Sequence, residues 1–190
     1  MTGKSLLLDG ALKLIADEGY AVFSLNRLAE AAGTSLAQVY QVFANRAAVP
    51  SALSERIDAL LREAVTSDSE SPPRDRIFDV VMTRLELLQP HKEPVLVILR
   101  ELPRVPQDGI LLMPSLIRSL HAVLELAGID ASGLKGRVRV QAMVAIYMRV
   151  LKTWIVDDDP GLSGSMALLD RWLRRAEQVT PDFWSKSPAR

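Results

Sequence analysis

The chain has 190 residues, 23 basic side chains against 23 acidic ones, no cysteine and 48% hydrophobic residues. That length suits one domain or a small head on a larger body, and a fold of this size buries about 70% of its unfolded surface without staples. The missing cysteines exclude disulfides, thiolate metal sites and cysteine nucleophiles, and the only histidines, His91 and His121, lie too far apart in sequence for a histidine-rich metal centre. The longest purely apolar run, residues 142–148, falls well short of the roughly 20 residues that cross a bilayer. Asp9 follows three leucines too closely for a secretory signal. These features predict a cytoplasmic protein without stable membrane insertion. Net charge of zero withholds a basic whole-protein field, so any case for nucleic acid must come from local motifs.

Helical spacing recurs from end to end, and no alternating strand pattern of useful length occurs. Leu7, Leu8, Ala11, Leu12, Leu14 and Ile15 form a first amphipathic stripe that stops at Gly19. Ser24 precedes Leu25, Leu28, Ala29 and Ala32, the pattern of an N-capped short helix ended by Gly33. Thr34 or Ser35 caps a third short helix carrying Val39, Tyr40 and Phe43. Asn45 opens a fourth helix over residues 46–65, with Pro50 tolerated in its first turns. Residues 67–73, S-D-S-E-S-P-P, read as a linker or loop.

Beyond the linker, residues 74–88 predict a helix with Ile77, Val80, Val81, Leu85 and Leu88 inward. Pro90 and Pro94 reset the chain, residues 103–109 read as a turn, and Pro114 is expected to start a helix running to Gly128. Residues 134–156 form the longest candidate helix. The last, over 165–179, carries Met166, Leu169, Trp172, Leu173 and Ala176. The expected fold class is all-α.

Three short helices within the first 45 residues, with Gly33 between the second and third, have helix-turn-helix spacing. The second and third are too short to be stable alone and must pack on the first. The run S-L-N-R-L-A-E-A-A-G-T-S-L-A-Q-V-Y-Q-V-F-A-N-R over residues 24–46, with A-L-K-L-I-A-D-E-G-Y before it, resembles the head of TetR-family transcriptional regulators. The resemblance implies a TetR-like fold, with a helix-turn-helix DNA-binding head over residues 1–46 and a helical ligand-binding and dimerisation body over 47–190. It implies phosphate contacts from Ser24, Tyr40 and Arg46, a turn and cap at Gly33, Thr34 and Ser35, and base-reading positions at Leu36, Ala37 and Gln38, with Gln41 beside Tyr40. Read from the residues alone, Tyr40 could equally fill the core of the small head, and Phe43 fits that core better than a surface role.

Two departures bear on affinity. Leu36 stands where the family usually has a polar or basic residue, and Val42 where it has His or Tyr. Lys4, Lys13, Arg27 and Arg46 are balanced by Asp9, Asp17, Glu18 and Glu30, so the head is neutral. Non-specific affinity comes mostly from phosphate neutralisation, so weak binding, or binding only at low salt, is expected.

The body carries a second resemblance. R-D-R-I-F-D-V-V-M-T-R-L-E-L-L-Q-P-H-K over residues 74–92, the later R-V-R-V-Q-A-M-V-A-I-Y-M-R-V-L-K-T-W-I-V-D-D-D-P and M-A-L-L-D-R-W-L-R-R-A-E resemble the TetR-like lipid-binding accessory proteins of ubiquinone biosynthesis. Both resemblances imply an apolar cavity, for which Met82, Leu85, Leu99, Met113, Leu116, Leu120, His121, Met143 and Tyr147 are the candidate lining. With Arg100, His121, Arg149 and Lys152 as the few polar groups, a small apolar or amphipathic ligand is expected. Each apolar residue would serve as well in a closed core.

Trp154, Leu169, Trp172 and Leu173 on the last two helices are candidate anchors of a homodimer, whose two heads must reach half-sites roughly 34 to 36 Å apart on double-stranded DNA. Trp154 could equally be core within the chain. Residues 180–190, with Phe183 and Trp184 near Lys186, are too few for a firm anchor, although the aromatic pair could dip into a membrane interface. No nucleophile elbow, P-loop or zinc-protease signature occurs, so neither catalysis nor a cofactor or metal is expected. The expected function is a ligand-responsive regulator, a repressor acting as a homodimer on a palindromic operator. The alternative is a lipid-binding accessory protein that does not bind DNA.

Overall fold

The computed structural model describes residues 3–66, 70–179 and 183–184. All regular structure among them is helical: α1 (Gly3–Glu18), α2 (Leu25–Ala31), α3 (Leu36–Val42), α4 (Ala48–Ala64), α5 (Pro73–Leu88), α6 (Lys92–Glu101), α7 (Pro106–Leu126), α8 (Gly133–Val156) and α9 (Ser163–Val179). Short 3-10 turns precede and follow α6. The chain forms two compact units. One joins the residues up to Arg56 with Pro90–Leu116, and the other joins Ile57–Gln89 with the residues from Ile117 onward. The expected division at residue 46 differs from the division by compactness, because α6 and the first half of α7 cluster with the head.

In the first unit, α1 buries Leu8, Ala11, Leu12 and Ile15, a stripe at three- and four-residue spacing. It ends at Gly19, whose φ of +102° is costly for any residue with a Cβ. A Cβ there would also meet the Glu101 carboxylate at 3.1 Å. Tyr20, Phe23, Leu28, Val39 and Phe43 complete the core with essentially no exposed surface. The helix α4 starts two residues later than expected. Asn45 still caps it, its side-chain oxygen accepting from Ala48 N at 3.0 Å.

Pro114 corrects the sequence reading, because the helix expected to start there begins at Pro106. Pro106 has the fixed φ and missing N–H that suit a first helical position. Pro114 sits inside α7 on its exposed side, so the Ile110 carbonyl it leaves unpaired can meet water. By length and composition α7 could cross a bilayer, although no long uninterrupted apolar run marks it in the sequence. It nonetheless carries Asp108, Ser115 and Ser119 as buried polar residues.

In the second unit, α5 turns Ile77, Val80, Val81, Leu85 and Leu88 inward as predicted, and α8 packs along α9. The loop between these two is held by carboxylates. Asp157 accepts from Ser165 N and Oγ, both at 2.8 Å, and Asp159 accepts from Gly161 N and Ser163 N, both at 3.1 Å. These donors hold both carboxyls below the usual range, Asp157 through Ser165 first and Asp159 through Ser163 first.

Trp184 is buried, its indole N–H donating to Leu173 O at 3.3 Å, and Phe183 meets it edge-on at 4.5 Å. Arg139 Nε donates to Phe183 O at 2.7 Å. Trp184, one of the pair that could have dipped into a membrane interface, is therefore spent on the chain's own core, with half-buried Phe183 against it. The rest of the 180–190 tail, and residues 67–69 of the linker, lie outside the described residues.

Candidate nucleic-acid interface

The segment expected to read DNA is built from caps. Ser24 Oγ accepts from Arg27 N at 3.3 Å and starts α2. After α2, Gly33 takes φ +62° with open space around it, and Thr34 N returns to Ala29 O at 3.0 Å. Ser35 then opens α3 through a reciprocal capping box with Gln38. The Ser35 hydroxyl accepts from Gln38 N at 3.2 Å, while Gln38 Oε1 accepts from Ser35 N at 3.3 Å and from the Thr34 hydroxyl. Such a box stabilises a seven-residue helix by about 1 kcal/mol, a useful share for an element that short.

The two faces of α3 separate the roles that were open for its aromatic residues. Phe43 and Val39 are fully buried, whereas Tyr40 is 55% exposed and free to meet a ligand. Ala37, Gln38 and Gln41 are exposed, and Leu36 and Val42 are half-buried. Two grooves flank the helix. One, of about 430 Å³, brings together Ser24, Leu36, Tyr40 and Arg46 with Asn26 and Asp108. The other, of about 850 Å³, runs along α1 and is lined by Thr34, Gln38 and Gln41 with Lys4, Lys13 and Asp17. Ser35 and Ala37 sit exposed at the start of the helix.

Arg46 is engaged inside its own unit. Its Nε lies 2.6 Å from Asp108 Oδ2, its Nη1 donates to Ala21 O at 3.1 Å, and its guanidinium stands 5.3 Å over the Tyr20 ring. The Tyr20 hydroxyl donates to the same Asp108 oxygen at 2.9 Å. Burial, followed by Asp108, pushes the Tyr20 phenol well above its ordinary range. The Glu101 carboxylate accepts from Ala21 N at 2.7 Å. Carboxylates from α6 and α7 thus hold the turn that leads into α2. Nothing in the head's own 46 residues announces them.

The residues expected to line a pocket divide between the units. Leu99, Met113 and Leu116 belong to the first, with Met113 40% exposed, and the other six belong to the second. There Met82, Leu85, Leu120, Met143 and Tyr147 are buried, and half-buried His121 pairs with Glu125 at 3.4 Å. Among them lies a polar cluster the sequence reading missed. Arg84 meets Asp58 at 3.2 Å and Ser119 Oγ at 3.0 Å and donates to the Tyr147 hydroxyl, and Ser119 Oγ donates to Asp58 at 2.7 Å. Burial raises the Tyr147 phenol above its ordinary value. The signal was present, because position 84 continues the inward stripe of Ile77, Val81 and Leu88.

Of the expected dimer anchors, Trp154, Leu169 and Leu173 are fully buried within the chain and have no surface left for a second copy. Trp172 is half-exposed, with the guanidiniums of Arg149 and Arg175 over its ring at 4.8 and 5.5 Å. Leu134, Val138, Val156, Met166 and Val179 are exposed apolar residues on the same two helices.

Comparison with known proteins adds a local family match and a fold. Residues 7–53 match the family model of bacterial regulatory proteins, tetR family. A TetR transcriptional regulator from Nitrosomonas europaea superposes with a TM-score of 0.68 at 18% identity, over 92% of this chain and 98% of that one. A TetR regulator from Rhodococcus sp. RHA1 gives 0.62 at 15% identity over 90% and 94%. The fatty acid degradation regulator FadR from Bacillus halodurans gives 0.59 at 15% identity over the whole of both chains. No curated protein matches the chain. Residues 7–53 thus match the tetR-family model, and the chain has the all-helical fold seen in the TetR-family regulators it superposes on.

Proposed function

We propose that the protein is a homodimeric, DNA-binding transcriptional regulator, a repressor whose grip on a palindromic operator responds to a small apolar or amphipathic ligand. The observation that carries the reading is α3, a capped helix whose Phe43 side packs the head while Tyr40, Gln38 and Gln41 face outward. The tetR-family match over the same residues supports it. In this reading Ser24 and Tyr40 hold phosphates, and residues 36–38 with Gln41 face base edges. Dimerisation uses the exposed stripe of α8 and α9 with Trp172 as its aromatic anchor. The ligand acts through its different affinity for two states of the chain, with α4 as the element shared by head and body.

Selection from a random duplex library at low and moderate salt tests this. The expected result is an enriched palindrome whose binding weakens steeply with salt, and Tyr40→Ala should lower affinity on every sequence alike. Gln38→Ala should relax base preference, at the added cost of the capping box. Absence of enrichment with folded protein would favour the second reading, a lipid-binding accessory protein without DNA binding. The neutral head, with Arg46 paired inside the chain, speaks for that reading. Organic extraction and mass spectrometry of the purified protein would then identify a retained lipid.

A further inference from the structure

The groove that gathers Ser24, Tyr40 and Arg46 holds one residue that a phosphate site would not want. Asp108, from the first turn of α7, shares the groove and places its Oδ2 2.6 Å from Arg46 Nε. The Asp108 side chain is 8% exposed and that of Arg46 is 22% exposed, so the pair sits at the groove wall within reach of solvent. Asp108 is itself fixed by the Tyr20 hydroxyl, and Arg46 by the Ala21 carbonyl and the Tyr20 ring. The guanidinium is therefore already oriented and already neutralised. An incoming phosphate oxygen must take the place of a carboxylate oxygen, and it meets a second negative charge as it does so.

We infer that Asp108 is a built-in competitor for the phosphate seat at Arg46, so that α7 sets how tightly the head holds nucleic acid. The inference rests on the DNA-binding reading above and extends it. Asp108 is a positioning residue that tunes affinity. Because it comes from α7 and not from the helix-turn-helix itself, whatever displaces α7's first turn changes the charge presented to DNA. Counterion release gives the exchange a signature. A freed Arg46 adds one phosphate contact per head, and each such contact steepens the dependence of log K on log salt by about 0.9.

Full-length wild type, Asp108→Asn, Arg46→Gln and the double variant are titrated with a fluorescent mixed-sequence duplex across a salt series. Thermal melts confirm folding, since Asn keeps an oxygen for the Tyr20 hydroxyl. Asp108→Asn is expected to bind roughly fivefold more tightly per head at low salt, with a slope steeper by about one. Arg46→Gln is expected to bind more weakly than wild type, and the double variant to recover part of that loss. On the wild-type protein, the Arg46 Nε–H resonance should shift when duplex is added, a readout that needs no variant to fold. Asp108→Asn binding no better than wild type, or an Arg46 resonance unmoved by bound duplex, would overturn the inference while leaving DNA binding intact. If no folded form binds duplex at any salt, the DNA-binding reading fails first and this inference with it.

Discussion

Two arginines in this chain meet nearly the same partners in different surroundings. Arg46 in the first unit pairs with Asp108 and stands 5.3 Å over Tyr20. Arg84 in the second pairs with Asp58 and stands 5.1 Å over Tyr147. The Arg46 side chain keeps 22% of its surface and lines a groove, whereas that of Arg84 keeps 4% and has Ser119 as a further partner. Solvent access separates their uses. Charges at a groove wall can trade one anion for another at modest cost, because water and salt share the work of solvating them. A sealed pair cannot, since breaking it leaves an uncompensated charge in the core. One cluster is suited to exchange and the other to holding helices in register.

The largest expected effect breaks the sealed cluster. Arg84→Met should destabilise the protein by about 3–5 kcal/mol in a denaturant titration, because Asp58 is left facing Ser119 and Tyr147 with no cation. Adding Asp58→Leu should restore much of the loss. If the single variant costs no more than a surface pair, the cluster is wetter than its burial indicates. Arg46→Gln should cost about 1 kcal/mol, and its cost should shrink in salt while that of Arg84→Met does not.

The smallest effect is alkaline. Tyr20 and Tyr147 both have phenols raised by burial, so each ionises more readily in the unfolded chain. Their stabilising contribution is fully present below pH ~10, the unfolded value, and is lost as pH rises above it. Tyr20→Phe should flatten part of that alkaline loss, at a cost of about 1 kcal/mol near neutral pH for the hydrogen bond to Asp108. An unchanged alkaline profile would mean that Tyr20 does not contribute to it.

The head was legible because its signals are local. Gly19 and Gly33 mark positive-φ turns, Ser24 and Ser35 cap the helices they precede, and hydrophobic spacing is regular between them. Reading failed where two equivalent signals competed. Either Pro106 or Pro114 could start a helix, and only the exposure of Pro114 on the finished helix explains its place inside. It failed again where the partner is distant in sequence. Nothing near Arg46 points to Asp108, 62 positions away, and the pattern that draws tryptophans and leucines to α8 and α9 does not say which ones face a neighbour. Arg84 was readable from the stripe it continues, but an arginine among inward leucines is easily taken for a surface residue.

All three tryptophans, Trp154, Trp172 and Trp184, lie in the second unit, while Tyr20 and Tyr40 lie in the first. Intrinsic tryptophan emission is therefore a one-sided reporter. Trp154 and Trp184 should emit as buried indoles, and Trp172 as a half-exposed one with two guanidiniums over its ring. The helix-turn-helix could melt without changing that light. Agreement between fluorescence and far-ultraviolet circular dichroism would test whether the two units unfold together, since coincident transitions from independent probes are the mark of a single cooperative step. A lag between the two would report an intermediate in which the helix-turn-helix end has come apart and the tryptophan-bearing end has not.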